Sequence, residues 1–366
     1  MIKSLIDLTE KELYGKKVLL RVDFNVPVLN REISEYYRIE AIQETIDYLL
    51  NRNAIVAILS HITAIKSFEP IFVKIREIIG KDLKFLSDCI GDAVKESLSK
   101  AISGDIFLLE NVRRYDGEEN NDEKFAEKLA VNFDIYVNDA FAVCHREHAS
   151  VSAVTKFLPS YAGFLFVKEI ENLNKIIKSP KEGKTLILGG AKINTKFPVI
   201  KNFLDKAENI LIGGAVANVF LKASGVDIKK SLTDDNFSED AKNLLKEENL
   251  IIPNDYKVSN DMILDIGEKT ADKFVETINK SKIVIWNGPL GKTEIPEFSH
   301  SSEKIAKAVT NFGVFSVVGG GDTIAFLEKN GLLDKFSYVS TGGGAMLEFL
   351  AGSKLPGLDA LRYYDA

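Results

Sequence analysis

Short runs of β-branched and aliphatic residues alternate along the chain with segments whose apolar positions recur every three to four residues. In the first half the strand-like runs KKVLLRVDFN, NAIVAILSH, DIFLLENVR and DIYVNDAF are separated by the helix-like segments RIEAIQETIDYLL, EPIFVKIREIIG and EKFAEKLA. Strands that alternate with amphipathic helices predict βαβ units and a parallel sheet.

The alternation pauses over residues 164–177, FLFVKEIENLNKII, where apolar residues keep helical spacing and no strand period is present. It then resumes with the strand-like KTLILGGAK, NILIGGA, KIVIWNGP, VFSVVGGGDT and YVSTGGGA, interleaved with KFPVIKNFL, VANVFLKAS, SSEKIAKAVTNF and IAFLEKNG. The fold class expected is α/β, with one parallel-sheet domain over residues 1–163, a linking helix over 164–177 and a second parallel-sheet domain over 178–352. A length of 366 residues agrees with two domains, since one hydrophobic core stops growing at about 250–300 residues.

Composition narrows the function classes. Lys and Arg number 47 against 53 Asp and Glu, a formal charge of -6, so there is no global basic field for nucleic acid and any anion site must be a local cluster. Only Cys89 and Cys144 occur, too far apart for a Cys-x-x-Cys metal or redox pair and too few for a disulfide framework. The opening MIKSLIDLTE carries charge where a signal peptide needs its apolar stretch, and no apolar run is long enough to span a bilayer. A cytoplasmic protein with no membrane partner is expected, working as a monomer.

Candidate chemistry in the second half gathers at glycines. Gly189 and Gly190, Gly213 and Gly214, the GGGDT run from Gly319 to Thr323 and the TGGGA run from Thr341 to Ala345 each follow a strand-like run. Ligands of open parallel sheets bind beyond the carboxyl ends of the strands, where glycine lets backbone N–H groups approach phosphate oxygens. Asp322 falls at a predicted helix start, where a carboxylate serves as a cap or as a ligand for the magnesium that bridges nucleotide phosphates. Lys192 and Lys196 lie four apart at another helix start, and positive charge there opposes the helix dipole unless anions are near. WNGPLGKTE is not a P-loop, because the earlier glycine would fall at Trp286, and no run supplies G-x-G-x-x-G. A dinucleotide oxidoreductase is disfavoured.

In the first half Arg21, Arg38, His61, Arg113 and Arg146 lie beside predicted strand ends, with Asp23 and Asn25 in a DFN turn. Arginine forks suit phosphate and carboxylate groups, so a shared anion is expected. HREH at residues 145–148 lacks the further ligands of a zinc site, and no Ser, His and Asp set points to a covalent mechanism.

The motifs RVDFNVP, LLENVR, YVNDAF, HREHAS, LGGAK, IWNGP, GGGDT, STGGGA and LPGLDAL occur in an order that resembles the phosphoglycerate kinase family along essentially the whole chain. The resemblance implies two Rossmann-like domains, each a parallel sheet flanked by helices, that close around ATP or ADP and 3-phosphoglycerate or 1,3-bisphosphoglycerate. It also implies that residues 353–366 return to the first domain. Carried over, Asp23, Phe24, Asn25, Arg38, His61, Ile62, Thr63, Ala64, Arg113 and Arg146 contact the acid substrate. Lys192, Lys196, Gly213, Asn287, Glu294, Gly320, Gly321, Asp322 and Thr323 hold the nucleotide, with Asp322 placing Mg2+. Arg38, Lys192 and the amides of Gly342 and Gly343 stabilise the transferring phosphoryl group. A carboxylate acceptor is already ionised, so no general base is required.

The chain departs from the family pattern in places. The usual His-x-Gly-Arg-Pro run is here His61, Ile62, Thr63, Ala64 and Ile65, without its arginine, and Lys66 is the nearest substitute cation in sequence. One lost charge-assisted hydrogen bond of about 1.5–3 kcal/mol corresponds to roughly 10- to 150-fold in affinity. Glu268, Ile263 and Thr293 replace a usual proline, glycine and phenylalanine, which implies altered packing around adenine.

Overall fold

A computed structural model describes residues 2–311 and 313–365. Met1, Phe312 and Ala366, which belong to the runs MIKSLIDLTE, SSEKIAKAVTNF and KLPGLDALRYYDA, lie outside the described residues. The chain divides into two compact units, Met1–Ile170 with Lys354–Ala366, and Glu171–Ser353.

The first unit is built on six parallel strands: β1 (Lys17–Arg21), β2 (Ile55–Leu59), β3 (Leu83–Phe85), β4 (Ile106–Leu108), β5 (Ile135–Asn138) and β6 (Ser160–Ala162), in the spatial order β3-β4-β2-β1-β5-β6. Every residue of β2 is buried, as a strand covered on both faces requires. One face of the sheet packs Val18, Leu20, Val56, Ile58 and Val137 into one apolar cluster. The other sends Leu19, Ala57, Leu59, Phe107 and Tyr136 into a second.

The helical expectation over RIEAIQETIDYLL resolves into α1 (Tyr37–Glu40) and α2 (Gln43–Asn51). Ala41 and Ile42 keep right-handed dihedrals between them, so the ladder loosens without reversing the chain. EPIFVKIREIIG forms α3 (Phe72–Ile79), stopped by Gly80 in the left-handed conformation. EKFAEKLA forms α4 (Glu123–Ala130), whose cap Asp122 accepts from the Phe125 N–H at 2.7 Å. The segment Pro356–Ala360 belongs to this unit: the Gly357 N–H donates to the Cys144 carbonyl at 2.8 Å, and Leu358 is fully buried.

The second unit repeats the plan with β7 (Lys184–Leu188), β8 (Asn209–Ile212), β9 (Leu250–Ile251), β12 (Ile283–Asn287), β13 (Phe315–Gly319) and β14 (Tyr338–Ser340) in the order β9-β8-β7-β12-β13-β14. A hairpin of β10 (Tyr256–Ser259) and β11 (Met262–Ile266) stands apart from this sheet. Both six-stranded sheets are parallel. No described helix is long and apolar enough to cross a membrane.

The division between the units falls within the helix α5 (Phe164–Lys178). Its first turn is held by the first unit: the Phe164 N–H donates to Thr45 Oγ1 at 3.1 Å and the Phe166 N–H to Asp139 Oδ1 at 2.9 Å. Gly163 makes this possible, because a Cβ there would lie 2.3 Å from the Asp139 carboxyl. Burial pushes the pKa of Asp139 up to about 6, against the lowering effect of hydrogen bonds from the Thr45 side chain and the Phe166 and Leu165 N–H groups. Between the ordinary aspartate value and about pH 6 the native state therefore binds more protons than the unfolded state, and this residue's contribution to stability declines as pH rises. Asp139→Asn keeps the acceptor and cannot ionise. It should match the parent near pH 4 and exceed it by on the order of 2–3 kcal/mol at pH 7. Paired unfolding curves at the two pH values check this, and a variant less stable at pH 7 contradicts it.

Candidate active site

Parallel strands place every strand-to-helix turn of a sheet on one edge, and the sequence-selected residues gather there. In the first unit Arg21 ends β1 and is 1% exposed. Its Nε donates to Ser150 Oγ at 2.9 Å, another N–H reaches the Val22 carbonyl, and NH2 lies 3.3 Å from His61 Nδ1. Asp23 follows and is bound at 2.9 Å by Arg38 NH1, which also donates to the Asn25 carbonyl at 3.2 Å. Asn25 Oδ1 accepts from both the N–H and the hydroxyl of Thr63, at 2.9 and 2.8 Å. Asp23, Asn25, Arg38, His61 and Thr63 thus form one connected group.

Arg113, three residues past the LLE run, and Arg146 act electrostatically on the same His61. Burial lowers the His61 pKa well below its ordinary value, and Arg21, Arg113 and Arg146 lower it further. His145 and His148 are held to about 4, by burial first and then by nearby guanidinium charge. Three arginines therefore share a space with three neutral imidazoles. Arg113 Nε and NH2 are buried there without a hydrogen-bond partner, which is costly unless an acceptor arrives.

Phe24 and Ile62 turn their side chains into the interior. Both side chains are buried in the apolar cluster, and Phe24 meets Phe68 edge to face at 6.5 Å. The Phe24 N–H donates to Ser60 Oγ, while the Ile62 N–H and carbonyl are both bound by the Asn111 side chain. They hold the loop on which Asp23, His61 and Thr63 sit. Ala64 is exposed.

Several residues that sequence reasoning passed over support this group. Glu118 is fully buried, accepts from the Ser150 hydroxyl at 2.6 Å and from its N–H at 2.8 Å, and has its pKa raised by burial. Glu110 accepts from Ser67 Oγ at 2.6 Å, the Phe68 N–H at 3.0 Å and Arg114 at 2.9 Å. Their signal in sequence was an unremarked acidic residue inside LLENVR and another in DGEE.

In the second unit four helices begin at the same sheet edge: α6 (Ile193–Phe203), α7 (Gly214–Ala223), α10 (Gly321–Lys329) and α11 (Gly343–Leu350), with α8 (Glu268–Ile278) and α9 (His300–Asn311) elsewhere in the chain order. None of the four N-termini is closed by a side-chain cap. Their first-turn N–H groups lack intrahelical acceptors and carry partial positive charge. Gly320, Gly321, Asp322 and Thr323 open α10, and Gly342 and Gly343 open α11. The Thr323 hydroxyl already accepts from the Gly288 N–H at 2.9 Å.

The glycine turns serve packing as much as ligand approach. A Cβ on Gly288 would fall 2.2 Å from the Gly189 carbonyl, so two turns touch backbone to backbone. The N–H groups of Gly190, Gly213 and Gly214 donate to the carbonyls of Pro289, Leu188 and Leu290. Gly213 has no free donor, and a Cβ there would lie 2.4 Å from the Leu290 side chain.

Lys192 and Lys196 do not share a face exposed to water. Lys192 is the exposed N-cap of α6, whereas Lys196 is 4% exposed and its ammonium donates to Asn287 Oδ1 at the end of β12. Burial, with the Lys192 charge in addition, lowers the Lys196 pKa to about 7, and Asp322 works against that shift. Gly190, Gly214, Leu264, Pro289, Glu294 and Asp322 are among the residues lining a cleft of about 300 Å3 in this unit. Among the described residues no cluster of three or more His, Cys, Asp or Glu could hold a metal ion by itself. The Asp322 carboxylate in the first turn of α10 fits magnesium that arrives on phosphates and keeps several waters.

The sequence profile described as Phosphoglycerate kinase matches residues 8–353. A protein named phosphoglycerate kinase from Dictyoglomus turgidum is 42% identical over 391 aligned positions, covering 98% of this chain and 99% of its own. Another of that name from Finegoldia magna is 41% identical over 392, covering 98% of each. The crystal structure of phosphoglycerate kinase from Pyrococcus horikoshii superposes with a TM-score of 0.90 at 32% identity, and the structure of phosphoglycerate kinase from Coxiella burnetii with 0.84 at 33%, each covering 100% of both chains. A likeness of that extent in sequence and in both sheets makes this chain a member of the phosphoglycerate kinase family.

Proposed function

We propose that the protein catalyses reversible phosphoryl transfer between magnesium-bound ATP and the carboxylate of 3-phosphoglycerate, giving ADP and 1,3-bisphosphoglycerate. A carboxylate oxygen forms the new bond to the γ-phosphorus as the bond to the ADP oxygen breaks, and no proton needs to move. Family membership supports this reading, and the observation that carries it is the pair of unmet electrostatic demands. The first unit holds Arg21, Arg113 and Arg146 around neutral histidines with buried donors unpartnered. The second holds the uncapped helix starts at Gly321 and Gly343, together with Lys192 and Lys196. Both arrangements are relieved by phosphate or carboxylate groups.

In this reading Asp23, Asn25, Arg38, His61, Thr63, Arg113 and Arg146 bind the acid. Lys192, Lys196, Asn287, Glu294 and the start of α10 bind the nucleotide, and Asp322 holds its magnesium. That ion would neutralise phosphate charge. Arg38, Lys192 and the amides of Gly342 and Gly343 are assigned to the group in transfer, where fixed donors contribute most. The two free, buried cysteines suit a reducing cytosol.

Purified protein should form ADP from ATP at a rate that saturates with 3-phosphoglycerate in a coupled assay; folded protein that binds ATP yet shows no acid-dependent turnover defeats the proposal. Because Ala64 stands where the family carries arginine, Ala64→Arg should lower KM for 3-phosphoglycerate by about tenfold or more with little change in kcat. An unchanged KM would place the acid's phosphate away from this loop.

Lys196 gives a pH signature. A bound polyanion raises its pKa above the free value of about 7, so loading takes up a proton above pH 7 and affinity weakens as pH rises through that region. Calorimetry of ADP binding at pH 8 in two buffers of different ionisation enthalpy should record uptake of up to about one proton, absent in Lys196→Gln. Equal heats in both buffers for the parent protein would count against the assignment.

A further inference from the structure

Beneath the arginines of the first unit runs a buried chain of hydrogen bonds that has a direction. Glu118, in the short helix Asp116–Glu119, is fully buried, and its carboxylate oxygens accept from the Ser150 hydroxyl at 2.6 Å and the Ser150 N–H at 2.8 Å. These bonds and the charges of Arg21 and Arg113 favour its ionised form against burial. The Ser150 hydroxyl has one proton, and it goes to Glu118, so the lone pairs of Oγ are left for Arg21 Nε at 2.9 Å. The Tyr136 hydroxyl donates to the Ser150 carbonyl at 2.6 Å, which leaves no polar atom of Ser150 unengaged.

The chain continues through the guanidinium to His61. Arg21 and His61 are each 1% exposed, and Arg21 NH2 lies 3.3 Å from His61 Nδ1. A guanidinium has no acceptor and keeps its charge in proteins, so Nδ1 is the acceptor of this pair. The rival partner, Asp23 Oδ1, stands 3.9 Å from Nδ1, beyond hydrogen-bond reach, and the Asp23 carboxylate is already bound by Arg38 NH1 and the Asn25 N–H. Burial first, and then the Arg21 charge, keep the ring neutral. A neutral imidazole carries one proton, and with Nδ1 accepting, that proton sits on Nε2.

We propose that Glu118 and Ser150 are positioning residues that act through Arg21 to fix His61 as the Nε2–H tautomer, and so make it a neutral hydrogen-bond donor to the anionic acid substrate. This rests on the first unit binding the acid as proposed above. The tautomer decides the sign of the interaction. A ring that turned an Nδ1–H toward Asp23 would meet an anion with the Nε2 lone pair and repel it, whereas Nε2–H attracts it. A neutral donor also adds a hydrogen bond without adding to the repulsion among Arg21, Arg113 and Arg146.

The test joins nitrogen-correlated NMR of the full chain, isotopically labelled at its four histidines, with steady-state kinetics. Ring signals missing from His61→Gln are those of His61, and in the parent they should show the Nε2–H tautomer. Ser150→Ala releases Arg21 Nε; it should bring the Nδ1–H form into the His61 signals and raise KM for 3-phosphoglycerate about tenfold. It should leave kcat within about threefold and KM for magnesium ATP unchanged. Glu118→Gln should move the same readouts the same way and add nothing further in the double variant, as expected of two residues acting in one chain. An Nδ1–H tautomer in the parent overturns the proposal. So does Ser150→Ala with the His61 tautomer unaltered, or with KM for both substrates raised alike, which is what a purely structural Ser150 would give. Should the variants fail to fold, the parent's tautomer decides alone. A parent without acid-dependent turnover defeats the reading of the acid site and this inference with it, whereas Nδ1–H in a protein that turns the acid over sinks only the inference.

Discussion

Parallel strands joined through helices impose one constraint on everything else: the helix starts lie together at the carboxyl edge of each sheet. In the second unit this gathers four helix N-termini without side-chain caps, and their partial charges add at that edge. In the first unit the same edge gathers side-chain charge, with Arg21 at the end of β1 and His61 just past β2. A surface that concentrates positive potential at this density is destabilised by itself, and anions relieve it.

The protein tempers that cost in two ways. Histidines among the arginines are neutral, so His61, His145 and His148 add donors without adding charge in the free state. Buried Glu118 acts through Ser150, which joins it to the Arg21 Nε and so restrains the guanidinium from beneath. Lys196 follows the same logic in the second unit, with a pKa near 7 until phosphate is close. Ligand-free, each cluster holds less charge than its composition suggests.

Much of the fold is legible in the sequence because central strands are long apolar runs. KTLIL, NILI and IVIWN carry their own signal, and so do the turns that follow them. What escapes is short or shared. The edge strands Leu83–Phe85, Ser160–Ala162 and Leu250–Ile251 hold too few residues to display a period, and their pairing comes from the neighbouring strand. The hairpin Tyr256–Ser259 with Met262–Ile266 is specified by its Asn260 and Asp261 turn, both at positive φ, rather than by an apolar run. In the site, Arg38, His61 and Arg113 could be singled out because their chemistry suits anions. Glu118 and Ser150 could not, since what they do depends on partners 32 to 129 positions away.

The glycine turns teach the sharper lesson about reading function from motif. Glycine after a strand suggests an amide offered to phosphate, yet the amides of Gly190, Gly213 and Gly214 are already committed to carbonyls of the neighbouring turns. Their lack of a side chain instead lets three turns pack backbone against backbone, which fixes where α6 and α7 begin. Anion affinity then falls to the helix starts whose donors are still open, at Gly321 and Gly343, and to the ammonium of Lys192. A substitution at Gly189 or Gly288 would accordingly harm nucleotide binding by displacing the helices rather than by removing a contact, because the nearest atoms to an added Cβ are backbone carbonyls that have no room to yield.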